Sequence, residues 1–366
     1  MKNQIKITML TFTLAMILIF AACKSSDIPL AERIDNGTRK DNATAEDDFE
    51  NEELPEVLRK PLTVPLNINA EEIYYYGEAN IVSGGVSDGE NIYILGDQNL
   101  RTTPYEERDE FESRLFIMPV GSDEVSVADI DVPKGIYINN IAIDLYGGVH
   151  LFIADWDNEE YFIWQLDDNY QVGKIIEISA NIIEKWPPLW FLVDHDGNYY
   201  IQCYRMCYGV LVSSEGELIN KFTYESLGIK WAPDIGLGKD GQIYIIHGND
   251  DKTVISTLDT ENGLLIEDPD FYFPGYEIIS AISGGTDTNL LIYSRYSGVW
   301  AYDAENRIFE NRVPMSESSF GYASEFGNRI FLPDGRLFLG VSIWKDYDQG
   351  EDADCMLFRY IPVEKN

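Results

Sequence analysis

The chain has 366 residues, of which 63 are acidic and 27 basic, giving a net charge of −36. A field of that sign repels phosphate backbones and anionic headgroups, so nucleic acid is excluded as a partner and neutral or cationic ligands are favoured. Four cysteines in so long a chain exclude a small disulfide framework, and the three histidines, His150, His195 and His247, show no metal-ligand spacing.

In chain order, Lys2 and Lys6 precede an uncharged, largely apolar run from Ile7 to Phe20, too short for an ordinary membrane span and built like a targeting segment. The run closes on Phe20-Ala21-Ala22-Cys23, which resembles the lipobox of bacterial lipoproteins, in which small residues precede a cysteine that is lipidated and becomes the mature N-terminus. Phe20 departs from the leucine usual there, and the alternative is a plain secretory signal with an incidental cysteine. The resemblance implies a signal peptide over 1–22, a lipidated Cys23, and a protein anchored to the outer face of the bacterial cell membrane rather than spanning it. From Cys23 to Lys60 the chain reads as a disordered acidic tether. Residues 41 to 56 alone hold eight acidic side chains and no Lys or Arg, and the segment cannot bury enough apolar surface to offset its chain entropy.

Residues 61–366 carry a repeat. A small polar or glycine-containing turn followed by an apolar strand recurs at SDGENIYILG, YGGVHLFIA, HDGNYYIQC, KDGQIYIIH and PDGRLFLGV, with glycines at 89, 148, 197, 241 and 335. The last gap is nearly double the others, and a degenerate copy, GTDTNLLIYS at 285–294, fills it. Alone, the third copy also suggests a calcium loop, but its glycine is misplaced and Arg205 stands where such a loop needs a glutamate. Six units of this length, each divisible into four short strands, predict an all-β fold, a six-bladed β-propeller of four-stranded blades.

The fourth unit divides into an inner strand at 234–237, a second strand at 242–247, a third at 253–259 and an outer strand beginning at Leu265. The sixth ends on its third strand, CMLFRYI. Meanwhile PLTVPLNI, at 61–68, looks like the outer strands VADIDVP (127–133) and FENRVPM (309–315), so an N-terminal strand is expected to close the last blade. The arrangement resembles six-bladed propellers of the NHL and YVTN type, and the propeller part of some extracellular solute-binding lipoproteins of ABC transporters. In those transport proteins two α/β lobes follow, whereas this sequence reads as propeller through Asn366.

With the glycine turns on one rim, the opposite rim is made by blade-to-blade crossings and by loops between second and third strands. These segments are aromatic: KWPPLW, KWAPD, PGYEI and FGYASEF in crossings, and ADWDNEE, YRMCYG, SRYSG and SIWKDYDQG in loops. Trp156, Trp186, Tyr204, Trp231, Tyr296 and Trp344 are the candidate ligand-stacking residues, suited to a glycan or peptide; each could equally plug a gap between blades. Arg205 and Arg295 occupy corresponding loops and suit a carboxylate or phosphate, or pairing with neighbouring acids.

Cys203 and Cys207 flank a three-residue loop that brings them within disulfide range, or leaves them as reduced packing residues; Cys355 is expected buried and unpaired. No nucleophile–histidine–acid order is visible. Six-bladed lactonases hold a central metal with Glu, Asn and Asp, types so abundant here that they discriminate nothing. The expectation is a monomeric, membrane-anchored binding protein without cofactor or metal. An interaction module of an envelope or transporter assembly and a metal-dependent hydrolase or lactonase stand as alternatives.

Overall fold

The computed structural model of the protein describes residues 70–75, 79–98, 113–133, 136–183, 188–203, 208–224, 229, 234–249, 252–273, 279–285, 287–294, 297–314, 329–344 and 353–363. Among these residues there are 24 strands and no helix, assembled as six antiparallel sheets of four.

A first strand, β1 (Glu71–Tyr75), is followed by blade 1: β2 (Ala79–Ser87), β3 (Asn91–Gln98), β4 (Ser113–Pro119) and β5 (Ser126–Val127). Blade 2 is β6 (Ile136–Ile143), β7 (Val149–Asp155), β8 (Glu160–Leu166) and β9 (Val172–Ile178). Blade 3 is β10 (Pro188–Val193), β11 (Tyr199–Cys203), β12 (Tyr208–Val212) and β13 (Leu218–Thr223). Blade 4 is β14 (Asp234–Leu237), β15 (Ile243–Asn249), β16 (Lys252–Asp259) and β17 (Leu264–Phe273). Blade 5 is β18 (Ile279–Ser283), β19 (Leu290–Ser294), β20 (Gly298–Asp303) and β21 (Ile308–Pro314). Blade 6 is β22 (Arg329–Phe331), β23 (Arg336–Trp344) and β24 (Ala353–Pro362), with β1 as its fourth strand. Each inner strand touches the inner strands of the blades before and after it, β2 meets β22, and the ring is closed.

Strands alternate their side chains between two faces, and in a propeller both faces of a blade meet a neighbour. The central strands therefore read as continuous apolar runs, such as the fully buried LLIYS of β19 and YGVLV of β12. The buried apolar residues fall into six clusters, one between each pair of adjacent blades. There is no single core. Polar ties reinforce the seams: Arg312 of β21 donates to both carboxylate oxygens of Asp287 at 2.7 and 2.9 Å and to the Val363 carbonyl at 3.3 Å, joining blade 5 to the end of blade 6.

The repeated turn is geometric. Gly89, Gly147, Gly197, Gly241 and Gly335 hold φ between 78° and 98°, where a side chain costs roughly 1–2 kcal/mol. In the second unit the left-handed residue is Gly147, not the expected Gly148. The Gly147 amide donates to the Asp144 carbonyl, as Gly197 does to Asp194, while a side chain at 148 would crowd the Asp144 carboxylate.

Two boundaries differ from expectation. The closing strand is Glu71–Tyr75, paired with Met356–Tyr360, whereas residues 61–68 lie outside the described residues. Ile73 packs into the seam between blades 6 and 1, which fixes this register. The outer strand of blade 1, expected over 127–133, is only Ser126–Val127. Beyond it the Ile130 and Val132 amides fold back to carbonyls two residues earlier, so that Ala128 and Ile130 reach the core while Asp129 and Asp131 stay in water.

Closure by β1 makes a direct prediction. A chain lacking residues 1–76 leaves β24 as an open edge and is expected to melt at least about 5 °C below the full chain, or to aggregate, whereas removing residues 1–60 leaves the melt unchanged. Calorimetry of the two truncations checks it; equal melting would show that β1 is dispensable.

Candidate functional site on the crossing side

Successive strands of a blade run in opposite directions. The turns between first and second strands and between third and fourth therefore share one side, and the remaining loops and the blade crossings share the other.

On the turn side Asp88, Asp144 and Asp194 are each engaged by their own turns. Asp194, the first residue of the suspected calcium loop, accepts from the amides of Asp196 and Asn198 at 2.9 and 2.8 Å and from the Asn198 side chain at 3.1 Å, which is a turn cap. Asp88 accepts from Tyr93 Oη at 2.6 Å. Burial would raise its carboxyl, but this bond and those from the Asn91 and Glu90 amides outweigh burial and hold it below the ordinary carboxylate value.

Asp144 is similarly lowered, burial being outweighed by bonds from His150 and from the Gly148 and Tyr146 amides. His150 lies 3.0 Å from Asp144 through Nε2 and 3.2 Å from Tyr199 Oη through Nδ1, and Gln165 donates to that hydroxyl at 2.7 Å. His150 is 5% exposed and Tyr199 wholly buried, so this Asp–His–Tyr chain braces blade 2 against blade 3. The ring of His195 fills the space beside Gly241. Among the described residues no group of three His, Cys, Asp or Glu could hold a metal ion.

The crossing side differs. Of the rim candidates, Trp156 has a described side chain: it sits in the β7–β8 loop, half-buried, packs on the core between blades 2 and 3, and meets Tyr161 edge-on at 5.6 Å. It is a seam plug with one part exposed. Asp155 caps that loop through bonds from the Asn158 amide, the Asn158 side chain and the Asp157 amide, and these hold its carboxyl low. Trp344 and Cys203 lie on β23 and β11 with only their backbones described. Cys23, Trp186, Tyr204, Arg205, Cys207, Trp231, Arg295 and Tyr296 lie outside the described residues, and the Cys203–Cys207 bridge with them.

Trp186 falls between Ile183, which follows blade 2, and Pro188 of β10, while the described chain ends that flank Tyr204, Arg205 and Trp231 belong to the crossing ends of blades 3 and 4. That seam has a polar end. On β11 Tyr200 and Gln202 share a face, as do Ile243, Ile245 and His247 on β15, and the apolar members of both sets, with Trp190 of β10, lie in the one cluster between these blades. Gln202 is wholly buried, His247 is 4% exposed, and His247 Nε2 lies 2.9 Å from Ser256 Oγ, itself 1% exposed. The indole nitrogen of Trp190 is buried and has no hydrogen-bond partner among the described residues. Deeper in the seam Tyr200 Oη pairs with Tyr224 Oη at 2.9 Å, in a space that Gly209 leaves open because a side chain there would strike both hydroxyls.

Asp234, which sequence reading missed, stands at the same level on the other face of blade 4, the face turned toward blade 5. It opens β14 opposite Ile246, at the register position that Trp190 holds opposite Gln202 and Asn140 holds opposite Phe152 on the two preceding inner strands. The residue is half-buried, and burial of its carboxyl pushes it up to about 7. The signal available was an acid heading an otherwise apolar inner strand, DIGL. A bulge interrupts β10 and β6 one residue before Trp190 and Asn140, which re-aims their ends at this level.

No protein family and no curated protein matches this sequence. Among solved structures the chain is similar to virginiamycin B lyase from Staphylococcus aureus, at 11% identity and a TM-score of 0.45, over 81% of this chain and 100% of that one. It is also similar to a luciferin-regenerating enzyme, at 12% identity and a TM-score of 0.46, over 80% and 95% of the two chains. A gluconolactonase from Xanthomonas campestris stands at 12% and 0.45, over 80% and 90%. The architecture of this chain rests on its own strand order.

Asp234 carries a pH prediction. Its carboxyl is raised from 3.8 to about 7, so below pH 3.8 both folded and unfolded states are protonated and nothing is lost. As pH rises the unfolded chain ionises first, stability falls, and the loss is complete above the folded value. Asp234→Asn removes this dependence. Urea unfolding at pH 5 and pH 8 is expected to show the wild type losing stability relative to the variant at the higher pH. Parallel profiles would mean that Asp234 titrates as an exposed carboxyl.

Proposed function

We propose that this protein is an extracytoplasmic binding protein, tethered to the bacterial membrane through a lipid on Cys23, that recognises a glycan or peptide at the crossing side of blades 3 and 4. The observation that carries the reading is the polar end of that one seam, with the Trp190 indole N–H, Gln202 and the His247–Ser256 pair at the ends of strands whose connections read KWPPLW, YRMCYG and KWAPD. Aromatic faces take the apolar C–H surface of a sugar or peptide, and convergent donors and acceptors fix its orientation. Ring-stacked binding of this kind tolerates a net charge of −36, whereas recognition of an anionic ligand does not.

Glycan and peptide arrays probed with the full chain test the reading. Hits are expected that fall by at least about tenfold in Trp186→Ala and Trp231→Ala, a loss of ~1.4 kcal/mol or more. An empty array of both kinds counts against it. The anchor has its own check: metabolic labelling with an alkynyl fatty acid should mark the wild type and not Cys23→Ala, and unlabelled wild type would return the first 22 residues to a plain secretory signal.

A second reading has its own observation. A carboxyl near neutrality on an inner strand is the property of a general acid or base, so Asp234 favours the hydrolase or lactonase alternative. Hydrolysis of a lactone panel with an Asp234-dependent pH profile would support it, and activity unchanged in Asp234→Asn would remove Asp234 from that role.

A further inference from the structure

Asp234 stands apart from the aspartates of the loops. Asp88, Asp144, Asp155, Asp194, Asp259 and Asp303 each accept at least two hydrogen bonds from their own turns. Asp234 is half-buried at the head of β14, the innermost strand of blade 4, and no hydrogen bond or ion pair reaches its carboxyl from any described residue.

The strands around it hold no counter-charge. On β15 the facing residue is Ile246; Tyr244, the next residue on that face, donates instead to Asp240 at 2.7 Å, and His247 lies on the opposite face. β10 and β18, the inner strands that flank β14, read PLWFLV and ISAIS and carry no ionisable residue. A side chain at Gly236, two residues along β14, would strike Ile282 of β18, so the inner strands of blades 4 and 5 are in contact just below Asp234. Lys230 and Glu277, in the adjoining crossings, lie outside the described residues.

A carboxyl that has lost part of its water on folding, and has been given no partner in exchange, gains more from an incoming cation than an exposed carboxyl does. A divalent metal needs several ligands, and among the described residues no three His, Cys, Asp or Glu come together. A net charge of −36 opposes an anion. The group that fits is a single organic cation. The side chain of lysine or arginine stays charged throughout the range in which Asp234 ionises, and its apolar stem suits an aromatic crossing such as KWAPD, where Trp231 stands three residues before Asp234.

We infer that Asp234 is the cation-binding group of the crossing side and takes the ammonium or guanidinium group of a basic residue in a bound peptide. This rests on the reading of that side as a ligand-binding face and, of glycan and peptide, selects a basic peptide. Binding favours the ionised carboxyl, so it tightens as pH rises toward and through about 7.

The probes are the end-blocked tripeptide Gly-Lys-Gly and its uncharged Nε-acetyl-lysine counterpart, titrated into the full chain by NMR. The charged probe is expected to bind at least about tenfold tighter than the neutral one at pH 8, to weaken by about tenfold at pH 6 as the carboxyl takes up its proton, and to fall to the level of the neutral probe in Asp234→Asn. Equal melting of variant and wild type at pH 5, where the native carboxyl is also largely protonated, certifies the fold. Equal affinity of the two probes at pH 8, or a preference that survives in the variant, overturns the inference. So does Asp234-dependent binding of calcium ion, which would make the carboxyl a metal ligand, or of a chitosan oligomer with no preference between the peptides, which would assign the cation to an amino sugar. Failure of the underlying reading looks different: array hits lost in Trp231→Ala with no charge preference remove this inference alone, whereas empty arrays with the lysine preference intact leave Asp234 as a cation site without the aromatic face.

Discussion

The pairing of Glu71–Tyr75 with Met356–Tyr360 is the constraint on which the rest of the molecule depends. A propeller has no central core. Its stability is the sum of seams, and every seam needs a blade on each side. Blade 6 builds three of its strands from the end of the chain and takes the fourth from its beginning, so the first and last described strands must meet before the blade is complete. Arg312 adds a second latch nearby by holding the Val363 carbonyl from blade 5. This long-range closure costs chain entropy, and it is offset by burying Ile73, Phe358 and Tyr360 in the seam between blades 6 and 1.

A rigid ring lets its two sides specialise. On the turn side each aspartate discussed is satisfied locally: Asp88 by Tyr93, Asp144 by His150, and Asp194 by its own turn. Those bonds hold Asp88 and Asp144 low, so these groups stay charged and structural through the physiological range. On the crossing side the balance reverses. Asp234 has burial without compensation, and Trp190 buries a donor without an acceptor among the described residues. Such groups cost stability, of order 1–3 kcal/mol for a neutral donor, and are retained where something other than stability uses them.

Much of this was legible in the sequence because the repeated turn states its geometry in residue identity. Aspartate caps, glycine adopts positive φ, and the following run is apolar throughout because both faces of the strand are covered. That places five of the six inner hairpins, and the degenerate fifth follows from spacing. Register was harder. Gly147 and Gly148 look interchangeable until the Asp144 carboxylate is seen to occupy the space beside residue 148. The closing strand was sought at 61–68 because that stretch looks like other outer strands, yet an edge strand with one covered face has weak patterning, and the seam position of Ile73 selects 71–75 instead. Asp234 escaped notice because composition offers 63 acidic residues, and only burial singles one out.

The same logic explains why exposed aliphatics on the outer strands, such as Ile175, were invisible beforehand. In a central strand an apolar residue on either face reaches a seam, so apolar means buried. In an outer strand the blades have begun to splay, and whether an apolar residue meets the neighbouring blade depends on how far that blade extends. Ile176 reaches the core and Ile175 beside it does not, though the two residues are chemically identical.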